Sequence, residues 1–148
     1  MTSNRLAAYK FEPLHADALL TAPRPLRLGR VARSLRFACQ GLRDAWVSEP
    51  NLRIHAYLGA GFIAIGSAVG LSLAEWLWVS FAIGLVIFAE LMNTAIEHTV
   101  DLVVGLRPDP LARRIKDVSA GCVLVATLLA ILIESLTFLP RLLGAFAR

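Results

Sequence analysis

Cysteine, charge and the common nucleotide-binding motifs are what this 148-residue chain has least of. Its two cysteines, Cys39 and Cys122, lie far apart with no CxxC or CxxH spacing. That argues against both a disulfide framework and a cysteine zinc site. Charged residues make up 18% and hydrophobic ones 57%, against about 25% and about 45–50% in a typical soluble domain. So apolar a chain is not a disordered one. There is no GxxxxGK[ST] loop, no GxGxxG and no HRD or DFG set, so any nucleotide would have to be held by side chains outside those frameworks. Internal repeats and low-complexity segments are absent too. Met1 to Ala22 mixes Arg5, Lys10, Glu12, His15 and Asp17 among its apolar residues. It offers no signal-peptide core, and secretion by that route is not expected.

What is present is apolar sequence in long runs. Ile54 to Leu73 contains no acid, lysine or arginine, and about 20 such residues suffice for a helix to cross a hydrocarbon core of roughly 30 Å. Trp76 to Ala89 is uncharged and continues to Val104, while Val118 to Leu139 carries only Glu134. The expectation is an all-α membrane protein with three transmembrane helices, at about 53–73, 76–104 and 117–139. Pro23 and Pro25 break any earlier helix, so residues 1–28 read as a loosely ordered tail, ahead of a single membrane domain at 29–148. Gly66 and Gly70 form a small-xxx-small pair in the first span, with Gly59 and Gly61 nearby. Such residues let helices approach closely, though a membrane helix also tolerates glycine without that role.

Between tail and spans, residues 29–49 place Val31, Leu35, Ala38, Leu42, Ala45 and Trp46 on one helical face and Arg30, Arg33, Arg36 and Arg43 on the other. An apolar stripe opposite an arginine stripe describes an amphipathic helix in the interface, its guanidinium groups toward anionic headgroups. An ordinary packing helix would show the same pattern. Nucleic-acid binding is not expected, since no recognition motif accompanies the charge. The net charge of +4 is one-sided. Nine of the fifteen lysines and arginines come up to Arg53 and four more lie between the second and third runs. The positive-inside rule then puts the N-terminus in the cytoplasm and the C-terminus outside.

The scarce charges within the spans carry the functional signal. Glu90, Asn93, Glu97 and Asp101 are spaced i, i+3, i+7 and i+11 and share one helical face within about 80°, over roughly 16 Å of axis. Acids inside a membrane helix are costly and mark function by default. Three carboxylates cannot all stay ionised in a low dielectric without a cation or protons. A hard ion such as Mg²⁺ prefers oxygen ligands and leaves positions for phosphate oxygens. A deep glutamate suits a general base. Lys116, Asp117 and Glu49 fall on the same cytosolic side. Phosphoryl transfer, a proton or ion relay and a polar seam holding an oligomer all fit the stripe itself.

The stretch ELMNTAIEHTVD, from Glu90 to Asp101, resembles the signature E-x-x-N-[ST]-x-[IV]-E-x-x-V-D of the prokaryotic diacylglycerol kinase family, which also contains undecaprenol kinases. Lys116-Asp117 followed by Ser119, Ala120 and Gly121 is similar to a second family segment. Gly41-Leu42-Arg43 with Trp46 and Glu49 is similar to a third. The resemblance covers about Leu28 to Leu139. It implies a homotrimer of three-span subunits with shared active sites in the bacterial inner membrane, transferring the γ-phosphate of ATP to a lipid hydroxyl. By position, it implies Glu90 as the base, Glu49 and Glu97 as ligands of Mg²⁺, and Lys116 as a neutraliser of phosphate charge. Asp117, Asn93 and Arg30 would support nucleotide or base. Phe37 stands where a nucleotide-contacting tyrosine is often seen, and the two prolines between Gly105 and Pro110 leave that loop without a match. His55 replaces an acid typical of diacylglycerol-specific members, which leans the expected substrate toward undecaprenol.

Overall fold

The computed structural model describes residues 28–105 and 107–146. The proposed tail, up to residue 27, lies outside them. Four helices follow in order: α1 (Leu28–Ser48), α2 (Pro50–Val69), α3 (Leu73–Val104) and α4 (Pro110–Phe146). Two compact units divide the chain, Met1–Phe37 and Ala38–Arg148. Of the first, the described part is the opening turns of α1, with Arg30, Arg33, Arg36 and Phe37 all exposed. The second holds the rest of α1 and the three long helices.

Helices α2, α3 and α4 are each long and apolar enough to cross a membrane, as the runs predict. Their ends differ from the ends of those runs. At 20 residues, α2 is about 30 Å long, whereas the 32 of α3 and the 37 of α4 exceed what a bilayer core requires by well over 10 Å. The surplus of α4 is shared between its two ends. Its opening turns carry Arg113, Arg114 and Lys116, which a hydropathy reading excludes but a helix accommodates. Pro110 supplies a preset φ at the first helical position. The Asp109 carboxylate accepts from the backbone N–H groups of Leu111 and Ala112 at 2.7 and 2.9 Å, satisfying two donors that the first turn leaves open.

The α2–α3 connection is equally determined. Gly70 closes α2 in the left-handed region at φ 68°, where a side chain would be strained. Ser72 and Glu75 then form a reciprocal capping box. Gly70 is therefore a turn residue, not half of a packing pair. The close approach falls instead at Gly59, where an added Cβ would lie 2.8 Å from Ile83 Cγ2, and at Gly66, where it would lie 2.8 Å from Leu71.

Helices α3 and α4 run antiparallel. Ala82 and Val86 of α3 pack with Ala126 and Ala130 of α4 in one buried cluster. Leu71, Val79 and Phe138 form a second, backed by Phe62 of α2. Small residues at the first cluster allow the backbones to close in, which is how membrane helices gain packing energy when lipid removes the hydrophobic drive. Most large apolar side chains of the three spans stay exposed, Leu73, Phe88, Val125 and Leu136 among them, as lipid-facing surfaces require.

Candidate functional site

Site geometry begins at the α1–α2 junction. Arg53 reaches back from α2, and its Nη1 donates to the carbonyls of Trp46 and Val47 at 2.8 and 3.0 Å. Two orphan acceptors at the end of α1 are thereby satisfied. Trp46 and Tyr57 meet edge to face, with ring centroids 5.9 Å apart. Between the helices sits Glu49 in extended conformation at φ −105° and ψ 104°, with no side-chain capping bond. Its carboxylate is thus free of local duty and half-buried. Oε1 lies 3.9 Å from Nε2 of His98, the neighbour of Glu97 on α3.

Along α3 the polar stripe turns inward: Glu90 is buried, and Asn93, Glu97 and Asp101 are half-buried. Asn93 donates through Nδ2 to Glu97 Oε1 at 2.9 Å, a pairing within one helix at i, i+4. The other end of that amide accepts from Ser119 Oγ of α4 at 2.5 Å. Ser119 also lies 2.9 Å from its own helix's Lys116 carbonyl. Lys116 Nζ meets Asp101 Oδ1 at 2.6 Å. At the deep end, Glu90 Oε1 stands 3.3 Å from Nε2 of His55 on α2. Thr94 is buried beside it and donates to the Glu90 carbonyl at 3.0 Å.

The structure therefore joins the stripe to α4 at Asn93 and, through Asp101, at Lys116, sets Glu90 against α2, and brings Glu49 to the same stretch of α3 through His98. Asp117 points elsewhere. Its side chain is exposed and pairs with Arg113 of its own helix at 3.8 Å. Arg30 is exposed on α1 within the first unit. Three partners were not singled out from sequence: Ser119, His98 and His55 as a neighbour of Glu90. Lys116 and Ser119, at i and i+3 on one helix face, were the readable trace of the first.

Among the described residues no group of three or more His, Cys, Asp or Glu side chains is arranged to hold a metal ion. Glu49 and Glu97, both half-buried carboxylates, are oxygen donors of the kind a hard divalent cation would take, with water and phosphate oxygens completing its shell. One oxygen of Glu97 is fixed by Asn93, which orients the other. An apolar groove of about 390 Å³ between α3 and α4, lined by Leu85, Phe88, Val125 and Leu129, ends on Asn93 and Ser119. A wider groove, about 700 Å³, is bounded by Met92, Ile96, Val103 and Leu111, on the side of α3 away from the stripe.

Comparison with known proteins covers the stretch of chain that holds this geometry. The family described as prokaryotic diacylglycerol kinase matches residues 36–138. An undecaprenol kinase of Bacillus subtilis is 38% identical over 115 residues, covering 78% of this chain and 93% of the relative. A diacylglycerol kinase of Synechocystis sp. is 35% identical over 133 residues, covering 90% and 73%. A diacylglycerol kinase of Escherichia coli is 26% identical over 103 residues, covering 70% and 84%.

Proposed function

Because the chain belongs to the prokaryotic diacylglycerol kinase family, and is thus a lipid kinase of the bacterial membrane, we propose that it moves the γ-phosphate of ATP to a lipid hydroxyl at the cytosolic face of the inner membrane. The observation that carries this is the stripe itself: a buried glutamate at one end, a carboxylate–amide pair in the middle and a lysine at the other. Phosphoryl transfer asks a protein mainly for position and charge, not for covalent chemistry.

In this reading Glu90 accepts the proton of the lipid hydroxyl as its oxygen attacks phosphorus. Burial keeps that carboxylate poorly hydrated and within reach of an apolar substrate. Lys116 exchanges Asp101 for phosphate oxygens and offsets their charge. Asn93, held by Ser119, fixes the rotamer of Glu97. Glu49 and Glu97 hold Mg²⁺, which when bound supplies charge neutralisation along the phosphates. Asp117 and Arg30 serve the nucleotide, as the family resemblance implies. The subunits form a homotrimer with the N-terminus cytoplasmic and the C-terminus outside. Undecaprenol is favoured over diacylglycerol as acceptor: His55 and the run NTAIEHTVDL are similar to the undecaprenol kinases, one of which is the relative at 38% identity.

The test is a side-by-side assay of the purified protein with Mg²⁺-ATP and either undecaprenol or diacylglycerol. Undecaprenol should be labelled with the higher kcat/KM. Glu90→Gln should lower kcat by about 10²–10⁴-fold, and Glu97→Gln should raise the Mg²⁺ concentration needed for half-maximal rate, both in folded protein. Failure to phosphorylate any lipid alcohol refutes the reading.

A further inference from the structure

The reading above assigns a base but leaves its proton without an exit. The attack forms the bond between the lipid oxygen and the γ-phosphorus, breaks the bond to the β,γ-bridging oxygen, and moves the hydroxyl proton to Glu90. ADP leaves. That proton must depart before the next turnover, and the Glu90 side chain is only 5% exposed.

We infer that His55 is the proton acceptor and positioning partner of Glu90. Three observations converge on it. Nε2 of His55 lies 3.3 Å from Glu90 Oε1, with both side chains largely buried. His55 also lines a cavity of about 70 Å³ between the three spans, together with Gly59, Ala82, Thr127 and Glu134. Glu90 itself does not line that cavity, so the imidazole stands between the base and the cavity. A space of that size takes about two waters when polar groups are present to hold them, and His55, Thr127 and Glu134 supply such groups.

The step balances without a further reactant. Neutral His55, with its ring proton on Nδ1, takes the proton from protonated Glu90 at Nε2. Glu90 returns to carboxylate and the imidazolium hands one proton per turnover to water. The groups facing His55 favour this. Glu90 approaches from α3, and Glu134, buried on α4, lines the same cavity. On its own helix, Arg53 is turned back onto the carbonyls of α1 and Glu49 lies toward His98. No cation from these elements opposes a transient imidazolium.

The inference rests on the kinase reading, and the test separates the two. Lipid phosphorylation is measured from pH 6 to pH 9 for the full chain, for His55→Gln, which keeps a polar group toward Glu90 but cannot take its proton, for His55→Ala and for Glu75→Gln, at the far end of the bundle. Near pH 7, His55→Gln should lose about tenfold or more in kcat with KM for ATP and lipid unchanged. The loss should shrink as pH rises, because solvent base can then discharge Glu90. Added imidazole should restore His55→Ala in proportion to its free-base form. Glu75→Gln should keep the parent profile. An equal loss at every pH, no rescue by imidazole, or the same pH-dependent loss in Glu75→Gln overturns the assignment. Absence of phosphorylation by the parent chain sinks the kinase reading instead.

Discussion

At the scale of single residues, the site depends on hydrogen bonds whose direction is set. Asn93 can aim its NH₂ group at Glu97 only if its carbonyl end is satisfied elsewhere, and the Ser119 hydroxyl does that. An amide is symmetric in shape but not in chemistry. Ser119→Ala would leave Asn93 Oδ1 without its donor in a largely apolar setting, a loss of about 1–3 kcal/mol. The expected outcome is a lower melting temperature in detergent together with a weakened Mg²⁺ response, since Glu97 loses its fixed rotamer. Ser119→Thr, which retains the hydroxyl, should restore the Mg²⁺ response. Thermal melts and Mg²⁺ titrations of the two variants check this. An unchanged Mg²⁺ titration for Ser119→Ala would detach the hydrogen-bond chain from the cation-binding role of Glu97.

At the scale of helices and turns, the parts that sequence exposes and the parts it hides separate cleanly. The stripe on α3 is legible because its four members sit on one helix, where spacing alone fixes the shared face. Their partners are not, because they depend on how α2 and α4 are rotated against α3. Nothing in the spacing of His55 or Ser119 states that one meets Glu90 and the other Asn93. Hydropathy likewise places a span near residue 117 but passes over the charged turns that carry α4 back to Pro110. The glycines show the same limit. Gly59, Gly61, Gly66 and Gly70 look alike in sequence, yet a Cβ on Gly61 meets nothing within 4 Å while one on Gly59 meets the branched Cγ2 of Ile83 at 2.8 Å. Ile83 is stiff at χ1 and cannot turn that methyl aside freely. Gly59→Ala should therefore destabilise by about 1–3 kcal/mol, with Ile83→Ala in the same chain recovering much of the loss. Gly61→Ala should cost the isolated subunit little. Unfolding of the three variants in mixed detergent decides the point. The staple at the other end of the bundle is polar. Arg141 donates from Nε and Nη2 to the two oxygens of Glu75 at 3.0 and 2.6 Å, tying α4 to the capping box of α3. Glu75→Gln should lower the melting temperature by a few degrees while leaving the specific activity of folded protein intact, because no residue of the stripe touches that end.

At the scale of the whole molecule, the scarcity of charge in the spans and its excess on one side are linked consequences of one environment. The apolar excess covers three helices whose outer faces stay exposed, and the basic residues gather at the ends where phosphate and headgroups would lie. In sequence, thirteen of the fifteen lysines and arginines come up to Arg53 or between Arg107 and Lys116, and Lys116 meets the stripe. If the same field that orients the chain also concentrates anionic nucleotide at the site, orientation and activity share a cause and must agree in sign. The two native cysteines allow a direct check. Cys39 is exposed on α1, ahead of the spans. In a Cys122→Ser chain, a membrane-impermeant maleimide should label Cys39 in inverted vesicles and leave it untouched in right-side-out ones. Leu73→Cys, introduced with both native cysteines replaced at the exposed start of α3, should show the opposite pattern. ATP added outside inverted vesicles should then support lipid phosphorylation, whereas ATP outside right-side-out vesicles should not. Labelling of Cys39 from the outer face would reverse the assigned topology and, with it, the placement of Lys116 and the stripe on the side that holds ATP.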